Sequence, residues 1–274
     1  MADAVIEAVS KLSQNQPNWG LSMSNSSRRD FFMHSLGAAV ILASGRALGA
    51  SNCEKTASQT SGPFVPDDFP FSPKGDEAPY IEFADNNSDL TVVDDLDGKR
   101  TLPKGQIIYL RGEIVDQNCN PVSSATVYLW QADTNGHYNH TGDPNIHSAH
   151  ELDPNFQYSG VSGTDRNGRF QFKTIKPQYY PLDPADPTVM RTAHLHIAVT
   201  HPRCRTLITQ TYFEGNILED IDRIRDLNKL DIILATNGKI PERYRSLVVE
   251  YKEERSYADG PVGDVRLSVH RQRS

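Results

Sequence analysis

Two histidines separated by a single residue, His194 and His196, are the part of this sequence best suited to holding a metal ion. They begin the β-branched and apolar run His194–Thr200, which predicts a strand. Side chains two apart on a strand project from the same face, with Cβ atoms roughly 6 to 7 Å apart, so both imidazoles can bind one ion. Such pairs also occur as ordinary exposed strand residues, and the pair alone leaves both interpretations open.

Other side chains capable of metal binding or acid–base chemistry surround this pair. Arg191 precedes it by three residues, and Tyr179 and Tyr180 lie in a segment bounded by prolines. Tyr138 belongs to a histidine-rich stretch whose members are His137, His140, His147 and His150. That stretch allows a second metal site, but solvated loop histidines are the simpler explanation. Each tyrosine taken alone is equally compatible with a half-buried aromatic that hydrogen-bonds through its hydroxyl.

The elements that must position these residues are short, β-branched and aromatic, and often alternating. They predict strands at Gln106–Asp116, Thr126–Gln131, Arg169–Ile175, His194–Thr200, Thr206–Phe213 and Val262–His270. The Asn-Gly pair in Asp165–Gly168 is suited to a tight hairpin, and Ile217–Leu230 predicts a short surface helix. The spacing therefore predicts an all-β fold, a β-sandwich with long loops and a few short helices.

Composition narrows the function classes. The 274 residues carry 28 Lys and Arg against 35 Asp and Glu, a formal charge of −7, so nucleic acid is not an expected partner. The absence of a phosphate-binding glycine loop disfavours a nucleotide-binding enzyme. The three cysteines, Cys53, Cys119 and Cys204, cannot all pair, and their spacing offers no metal or redox motif. We expect packed or idle thiols.

The first fifty residues have the order of an export signal. Arg28 and Arg29 precede the uncharged stretch Met33–Gly45, which is shorter than the ~20 residues that a membrane-spanning helix needs. The adjacent arginines resemble a twin-arginine signal, which indicates export to the periplasm or the extracellular space and no stable membrane span after cleavage. A buried amphipathic helix with a chance arginine pair is the alternative, and translation starting at Met23 is a further expectation.

We therefore divide the chain into an N-terminal extension with a signal, residues 1–50, and a single catalytic domain, residues 51–274. Within the latter, Ser51–Glu77 is rich in Ser, Thr, Pro and Asp and predicts an extended arm that lies on the domain.

A series of short motifs runs along most of residues 51–274. They are Thr60–Phe64, Arg111–Asp116, Leu129–Asp133, Gly136–Tyr138, Asp153–Phe156, Thr174–Pro177, Tyr180–Pro181, Ala193–His196, Ile208–Gln210 and Tyr212–Gly215. Their joint order and spacing resemble the intradiol ring-cleavage dioxygenases, closest to the β-type branch of the protocatechuate 3,4-dioxygenases. The resemblance implies an oxidoreductase that inserts both atoms of O2 into a catechol-type aromatic and yields a cis,cis-muconate-type diacid.

The resemblance also implies the cofactor and its ligands. Family members hold a non-haem Fe(III) with two tyrosinates and two histidines, which by motif position are Tyr138, Tyr180, His194 and His196. A hard, anionic phenolate suits ferric iron, and a bound metal favours deprotonation of a tyrosine whose free pKa is about 10. This donor set differs from the two histidines and one carboxylate of many ferrous oxygenases.

Roles for the pocket residues follow from the same resemblance. Tyr180 is the ligand that departs and takes a substrate proton, and Arg191 stabilises negative charge that develops beside the ring. Gln210 lines the pocket, and Tyr179 is a pocket or packing residue. Leu182 stands where the family usually has an aromatic pocket wall.

A further departure from the family affects substrate choice. The arginine expected between two of the motifs is absent, with Val161 near its place, so no cation is evident for the carboxylate of protocatechuate. The catechol used and the oligomeric state, homo- or hetero-oligomer, stay open. The alternatives are an exported transthyretin-like binding module without catalysis, since the predicted sandwich has a transthyretin-like core, and copper or zinc in place of iron.

Overall fold

The computed structural model describes residues 53–67, 69–70, 87–93, 101–144 and 151–272. The predicted signal, the alternative start at Met23, and His147 and His150 lie outside these ranges. The strands are β1 Ile107–Asp116, β2 Thr126–Trp130, β3 Ser159–Gly163, β4 Arg169–Ile175, β5 Tyr180–Asp183, β6 Asp186–Arg191, β7 His194–Thr200, β8 Leu207–Glu214, β9 Val248–Lys252 and β10 Val262–Val269. Helix α1 spans Ile221–Leu230, and the short α2 spans Glu242–Arg245.

Eight of the strands form one continuous sheet in the order β3-β2-β7-β8-β9-β10-β1-β4, and β5 and β6 form a separate hairpin. Strand β7 lies between β2 and β8, antiparallel to both. The pairs β8–β9 and β1–β10 are parallel. The end strands β3 and β4 approach each other, so the sheet is nearly closed. The predicted all-β fold with few short helices is confirmed.

The six strands predicted from alternation are confirmed as β1, β2, β4, β7, β8 and β10, with each end within one residue of its predicted position. Four strands were not predicted. Strand β3 consists of glycine and serine around one valine, and the β5–β6 hairpin contains prolines and aspartates, so neither shows the β-branched alternation that reveals a strand. Strand β9 does alternate between buried and exposed residues, and it was overlooked in the sequence.

Two local predictions need correction. The turn at Asp165–Gly168 is tight, with Gly168 at φ 74°, but it joins β3 and β4, which occupy opposite ends of the sheet order and do not form a hairpin ladder among the described residues. The predicted helix ends as expected but begins at Ile221, because Asp220 adopts the left-handed conformation with φ 55°.

Alternation along the central strands divides the interior into two regions. Leu195, Ile197 and Val199 of β7 enter the main hydrophobic core. The intervening positions, His194, His196 and Ala198, lie on the opposite face of the strand. All six residues from 194 to 199 are buried, so both faces of β7 are covered. The face that carries the histidines adjoins a second, smaller cluster of buried side chains that contains Tyr138 and Tyr180.

The segment before the first strand is an extended arm, residues 53–67, and the expectation of packed or idle thiols is wrong for two of the three cysteines. Cys53 and Cys119 form a disulfide with a Cα–Cα distance of 5.1 Å, and Cys204 alone is free and buried. The short turn at 118–121 brings Cys119 beside the start of the arm, which sequence spacing did not reveal. Beyond the disulfide the arm lies along β8, where the backbone N–H of Gln59 donates to the Ile208 carbonyl at 2.9 Å. The predicted arm is confirmed over its described part.

No helix in the described ranges combines the length and the apolar character needed to cross a membrane.

Candidate metal centre and substrate cavity

Four side chains predicted to act together meet at one point, and we call them the four-donor cluster: Tyr138, Tyr180, His194 and His196. The Tyr138 hydroxyl lies 3.2 Å from Nε2 of His194 and 3.1 Å from Nε2 of His196. The two Nε2 atoms are 3.1 Å apart, and the Tyr180 hydroxyl is 3.3 Å from that of Tyr138. All four residues are at most 7% exposed. Residues 58 positions apart in sequence thus present their polar atoms to one small volume.

Strand β7 fixes both histidines. In its ladders His196 lies opposite Trp130 of β2 and Gln210 of β8, and the Trp130 ring stacks on the His196 ring with centroids 4.9 Å apart. Nδ1 of His194 contacts the Thr192 carbonyl at 2.6 Å. Because a carbonyl can only accept, this nitrogen carries the proton, and Nε2 of His194 keeps its lone pair. The backbone therefore sets the tautomer that a metal requires.

Tyr138 lies in the loop after β2, and two buried aspartates order that loop. Oδ1 of Asp133 accepts from the backbone N–H groups of Asn135 at 2.7 Å and His137 at 3.1 Å. Oδ2 of Asp143 accepts from the Tyr138 N–H at 2.7 Å. Local side-chain-to-backbone bonds of this kind hold an irregular loop in one conformation. They fix the backbone at the tyrosine itself.

Tyr180 comes from the β5–β6 hairpin, where it pairs with Arg191 across the ladder. The loop carrying Tyr138 passes very close to it. Gly136 has φ 83°, and a Cβ at this position would lie 2.8 Å from Cβ of Tyr180. Both the backbone conformation and the close approach therefore require glycine here.

Burial sets the protonation states of the cluster when no cation is bound. Burial and the nearby Arg191 charge lower the pKa of His194 well below its ordinary value, and burial, His194 and Arg191 do the same for the pKa of His196. Burial, together with the neighbouring Tyr180, raises the pKa of Tyr138 well above 10, and burial raises the pKa of Tyr180. The imidazoles are therefore neutral and the phenols protonated, and a bound cation would reverse the preference of the phenols.

The donor set fits a transition-metal ion. Metal–nitrogen and metal–oxygen bonds of about 2.0 to 2.2 Å place neighbouring ligands about 3 Å apart, which matches the separations in the cluster. Among the described residues no group of three or more His, Cys, Asp or Glu side chains could hold a metal.

Arg191 lies beside the cluster in a buried network. Its Nε donates to Oδ2 of Asp231 at 2.9 Å, and its Nη2 donates to Oε1 of Gln210 at 2.7 Å. Nε2 of Gln210 donates in turn to the Thr60 carbonyl at 2.9 Å. Burial alone would lower the pKa of Arg191, but the Asp231 carboxylate together with Tyr180 and Tyr212 outweighs burial and raises that pKa, so the guanidinium is charged. Gln210 thus connects Arg191 to the N-terminal arm.

A cavity adjoins the four-donor cluster. Its lining consists of Gly62, Pro63, Phe64, Tyr180, Leu182, Arg191 and His196. A larger open groove of about 980 Å³ on β1, β4 and β10 is lined by none of the predicted site residues. Of these two cavities among the described residues, the smaller touches the donors, and it is the candidate substrate site.

Only one of the three predicted pocket residues, Leu182, Tyr179 and Gln210, lines the cavity. Leu182 lines the cavity. Tyr179 packs against the main core, and its ring lies 6.0 Å from the Arg223 guanidinium carbon. The Gln210 side chain is fully buried behind Arg191. Neither Tyr179 nor Gln210 is among the residues that line the cavity.

Sequence reasoning missed several residues that shape this region. The arm residues Pro63 and Phe64 form one cavity wall, and the Phe64 ring lies 5.0 Å from the Tyr138 ring. The Thr60–Phe64 motif was the available signal, but nothing in the sequence said which strand the arm covers. Asp231 is the C-cap of α1. It accepts a hydrogen bond from Arg191, which lies 40 residues earlier in the sequence, and no local pattern reveals this contact.

Fold and site together define an all-β protein with a buried centre of two phenol and two imidazole donors beside a small cavity. A family sequence model described as "Dioxygenase" matches residues 76–252, more than half of the chain. The chain belongs to the intradiol ring-cleavage dioxygenase family.

Similar proteins of known name agree with this membership. The protocatechuate 3,4-dioxygenase beta chain of Burkholderia cepacia is 38% identical over 44% of this chain and 51% of its own. The catechol 1,2-dioxygenase of Candida albicans is 28% identical over 56% of this chain and 52% of its own. The chain thus spans about half the length of these curated relatives. The solved 3-chlorocatechol 1,2-dioxygenase of Rhodococcus opacus has the same fold, with a TM-score of 0.54 at 21% identity over 79% of this chain and 72% of its own.

Proposed function

We propose that this protein is a non-haem Fe(III) intradiol dioxygenase. It would cleave a catechol-type aromatic between the two hydroxyl-bearing carbons, insert both atoms of O2 and release a cis,cis-muconate-type diacid. The observation that carries the proposal is the convergence of two phenol and two imidazole donors within 3.1 to 3.3 Å of their neighbours. A binding module has no need of such a centre, and the family to which the chain belongs consists of enzymes.

Tyr138, Tyr180, His194 and His196 would hold the iron. Phenolate oxygens are hard, anionic ligands that favour the ferric state, and neutral imidazoles complete the set. When bound, ferric iron supplies a Lewis acid that draws electron density from a chelated catechol and makes its ring reactive towards O2.

The chain's own residues would bind the substrate and move its protons. The Tyr180 hydroxyl lies at the junction of the donor cluster and the cavity, so as a phenolate its oxygen is placed to accept a proton from a substrate hydroxyl. Arg191 lines the same cavity and is charged, so it is placed to stabilise negative charge on the ring oxygens. Pro63, Phe64 and Leu182 supply an apolar wall that excludes water from the reaction. Gln210 would act through Arg191, with which it forms a hydrogen bond, and Tyr179 through its packing against the main core.

We further propose that residues 51–274 form a single catalytic domain, whose strands wrap as a transthyretin-like sandwich. The domain would be exported to the periplasm or the extracellular space through the twin-arginine-type signal. The disulfide between Cys53 and Cys119 supports export, because disulfides persist in oxidising compartments and are rare in the cytosol.

Product analysis tests the proposed activity. Iron-loaded protein is given catechol under ¹⁸O2, and the products are identified by mass spectrometry. We expect a cis,cis-muconate with two labelled oxygens. A muconic semialdehyde, which reports cleavage outside the two hydroxyl-bearing carbons, would contradict the proposal, as would a loaded protein that leaves every catechol of a panel unchanged. Elemental analysis of the purified protein distinguishes iron from copper or zinc in the same ligands.

A further inference from the structure

Asp231 is a buried carboxylate. It accepts hydrogen bonds from Arg191 and Thr192 and from the backbone of the two nearby residues Ile233 and Leu234. Its side chain is 0% exposed and that of Arg191 is 6% exposed, with Nε and Oδ2 2.9 Å apart. The same Oδ2 accepts from the Thr192 N–H at 2.9 Å, and Oδ1 accepts from the N–H groups of Ile233 at 2.9 Å and Leu234 at 3.0 Å. Four donors therefore hold an ionised carboxylate in place.

The ion pair balances the positive charge of Arg191 on the cavity wall with the negative charge of Asp231. Arg191 is the one Lys, Arg, Asp or Glu side chain among the residues that line the cavity. Val161, which packs in the same apolar cluster as Tyr138 and Tyr180, adds no polar group. With Nε on Asp231 and Nη2 on Gln210, Arg191 keeps Nη1 free of any hydrogen bond among the described residues. It can still donate to a neutral or partly charged oxygen.

A carboxylate on the ring of a bound catechol would be unfavourable in this cavity. Burying an ionised carboxylate is unfavourable unless a charge partner compensates for the hydration that it loses. The charge of Arg191 is already neutralised, and that of a ferric ion would be balanced by the Tyr138 phenolate and the two catecholate oxygens. A ring carboxylate would therefore add a net charge of about −1 at short range, where repulsion is weakly screened. A catechol without an anionic substituent incurs none of this cost.

We propose that Asp231 sets the charge preference of the substrate site: by neutralising Arg191 it makes the cavity select catechols without an anionic ring substituent over carboxylated catechols. The inference rests on the proposed intradiol function and deepens it. Asp231 acts through Arg191 and is a specificity-determining, positioning residue. It contacts none of the four donors.

The first test compares catechol with 3,4-dihydroxybenzoate on the iron-loaded full chain. We expect kcat/KM for catechol to exceed that for the carboxylated ring at least tenfold, mainly through KM. Anaerobic calorimetry with the same two compounds gives their Kd values independently of turnover, and we expect the same order. Equal or tighter binding of 3,4-dihydroxybenzoate would overturn the inference. Absence of turnover with both compounds would count against the proposed function, and the calorimetric ratio would still decide the charge preference.

The second test removes the neutralising charge. In Asp231→Asn we expect the ratio of 3,4-dihydroxybenzoate to catechol, in both kcat/KM and 1/Kd, to rise at least tenfold. The matched control is Asp116→Asn, which removes another buried aspartate paired with an arginine, the partly exposed Arg271 at 2.7 Å, away from the cavity. It should leave the ratio unchanged. An unchanged ratio in Asp231→Asn would overturn the inference.

A third variant covers the case in which Asp231→Asn does not fold. Leu182→Lys places an uncompensated cation on the wall of the same cavity while the Arg191–Asp231 pair stays intact. If the lack of free positive charge sets the preference, this variant also shifts the ratio towards 3,4-dihydroxybenzoate by at least tenfold. Failure to shift it would contradict the proposal.

Discussion

At the scale of single residues, three members of the four-donor cluster are each held by a different contact. The Thr192 carbonyl fixes the His194 ring, and the Trp130 ring stacks on His196. Asp143 fixes the backbone of Tyr138. Such supporting contacts place metal ligands before the metal binds, so loss of one ligand need not disturb the others.

The two proposed ligand types should respond differently to mutation. Tyr180→Phe keeps the ring packing and removes one oxygen, so we expect it to retain some iron, change colour and lower kcat at least tenfold, because the proposed proton acceptor is gone. His196→Ala removes a ligand from the middle of β7 and should lose the iron. Metal analysis and visible absorption check both variants. Equal iron content and equal activity in the two would contradict the ligand assignment.

Substitution of Gly136 is expected to disturb the four-donor cluster, because this residue lies against Tyr180. In Gly136→Ala the residue keeps a positive φ, which costs about 1 to 2 kcal/mol, and its Cβ collides with Tyr180. We expect both lower stability and a changed visible spectrum of the iron-loaded protein. Gly238→Ala is the matched control, because Gly238 has φ 72° but nothing within 4 Å of its Cβ position. It should lose stability and keep the spectrum. Identical spectra for the two variants would refute the role of the close approach.

The sequence allowed some of these residues to be predicted and hid others. The His-x-His spacing and the motif order located all four members of the cluster, since strand alternation and motif offsets are local properties. Asp231 could not be predicted, because its contact with Arg191 depends on how α1 packs against the hairpin. An aspartate that follows a helix rich in charged residues looks like a solvated side chain.

At the scale of secondary structure elements, regular strands were predictable and irregular ones were not. β7 could be predicted because its alternation is clear and both of its faces are apolar or carry histidine. The β5–β6 hairpin escaped detection although it carries Tyr180 and Arg191, because proline and aspartate are unfavourable in strands. The hairpin is nevertheless stable here, since Tyr180 and Arg191 at its inner end are buried.

The disulfide should stabilise the arm that forms one cavity wall. It joins residues 66 positions apart, so its loss in Cys53→Ser should cost about 2 to 4 kcal/mol of unfolding free energy. Denaturant unfolding with and without reductant measures this cost. Reductant should destabilise the parent and leave Cys53→Ser unaffected. Cys204→Ala, which removes the free buried thiol, should keep the full sensitivity to reductant. A parent protein that is indifferent to reductant, with its thiols shown to be reduced, would contradict the expectation.

Asp116, at the end of β1, should make a pH-dependent contribution to the free energy of unfolding. Burial alone would raise the pKa of this carboxyl, but the Arg271 guanidinium and the backbone N–H groups of Asn120 and Asn118 outweigh burial and lower it below its ordinary value. A depressed pKa stabilises the fold above the unfolded value of about 4, and this stabilisation disappears as the pH falls through the folded pKa.

We therefore expect Asp116→Asn to lose about 1 to 3 kcal/mol at pH 7 and to approach the parent in stability below about pH 4. Urea unfolding at a series of pH values measures the difference. Asp226→Asn is the control, because Asp226 forms an exposed pair with Lys229 and should have little effect at any pH. A difference for Asp116→Asn that stays constant from pH 7 to pH 3 would show that the carboxylate charge does not contribute.

At the scale of the whole molecule, the site is assembled from four separate parts of the chain. The arm, the loop after β2, the β5–β6 hairpin and β7 meet at the face of one central strand. Motif order predicted that these segments act together. It could not predict the sheet order β3-β2-β7-β8-β9-β10-β1-β4, because that order depends on long-range pairings that include two parallel pairs.

The central claim is that two phenolates and two imidazoles bind one ferric ion. The most direct test is the iron content and visible spectrum of the purified full chain after iron supplementation. We predict one iron per chain and a burgundy colour from tyrosinate-to-iron charge transfer, both lost in His196→Ala. A colourless, iron-free protein would contradict the account.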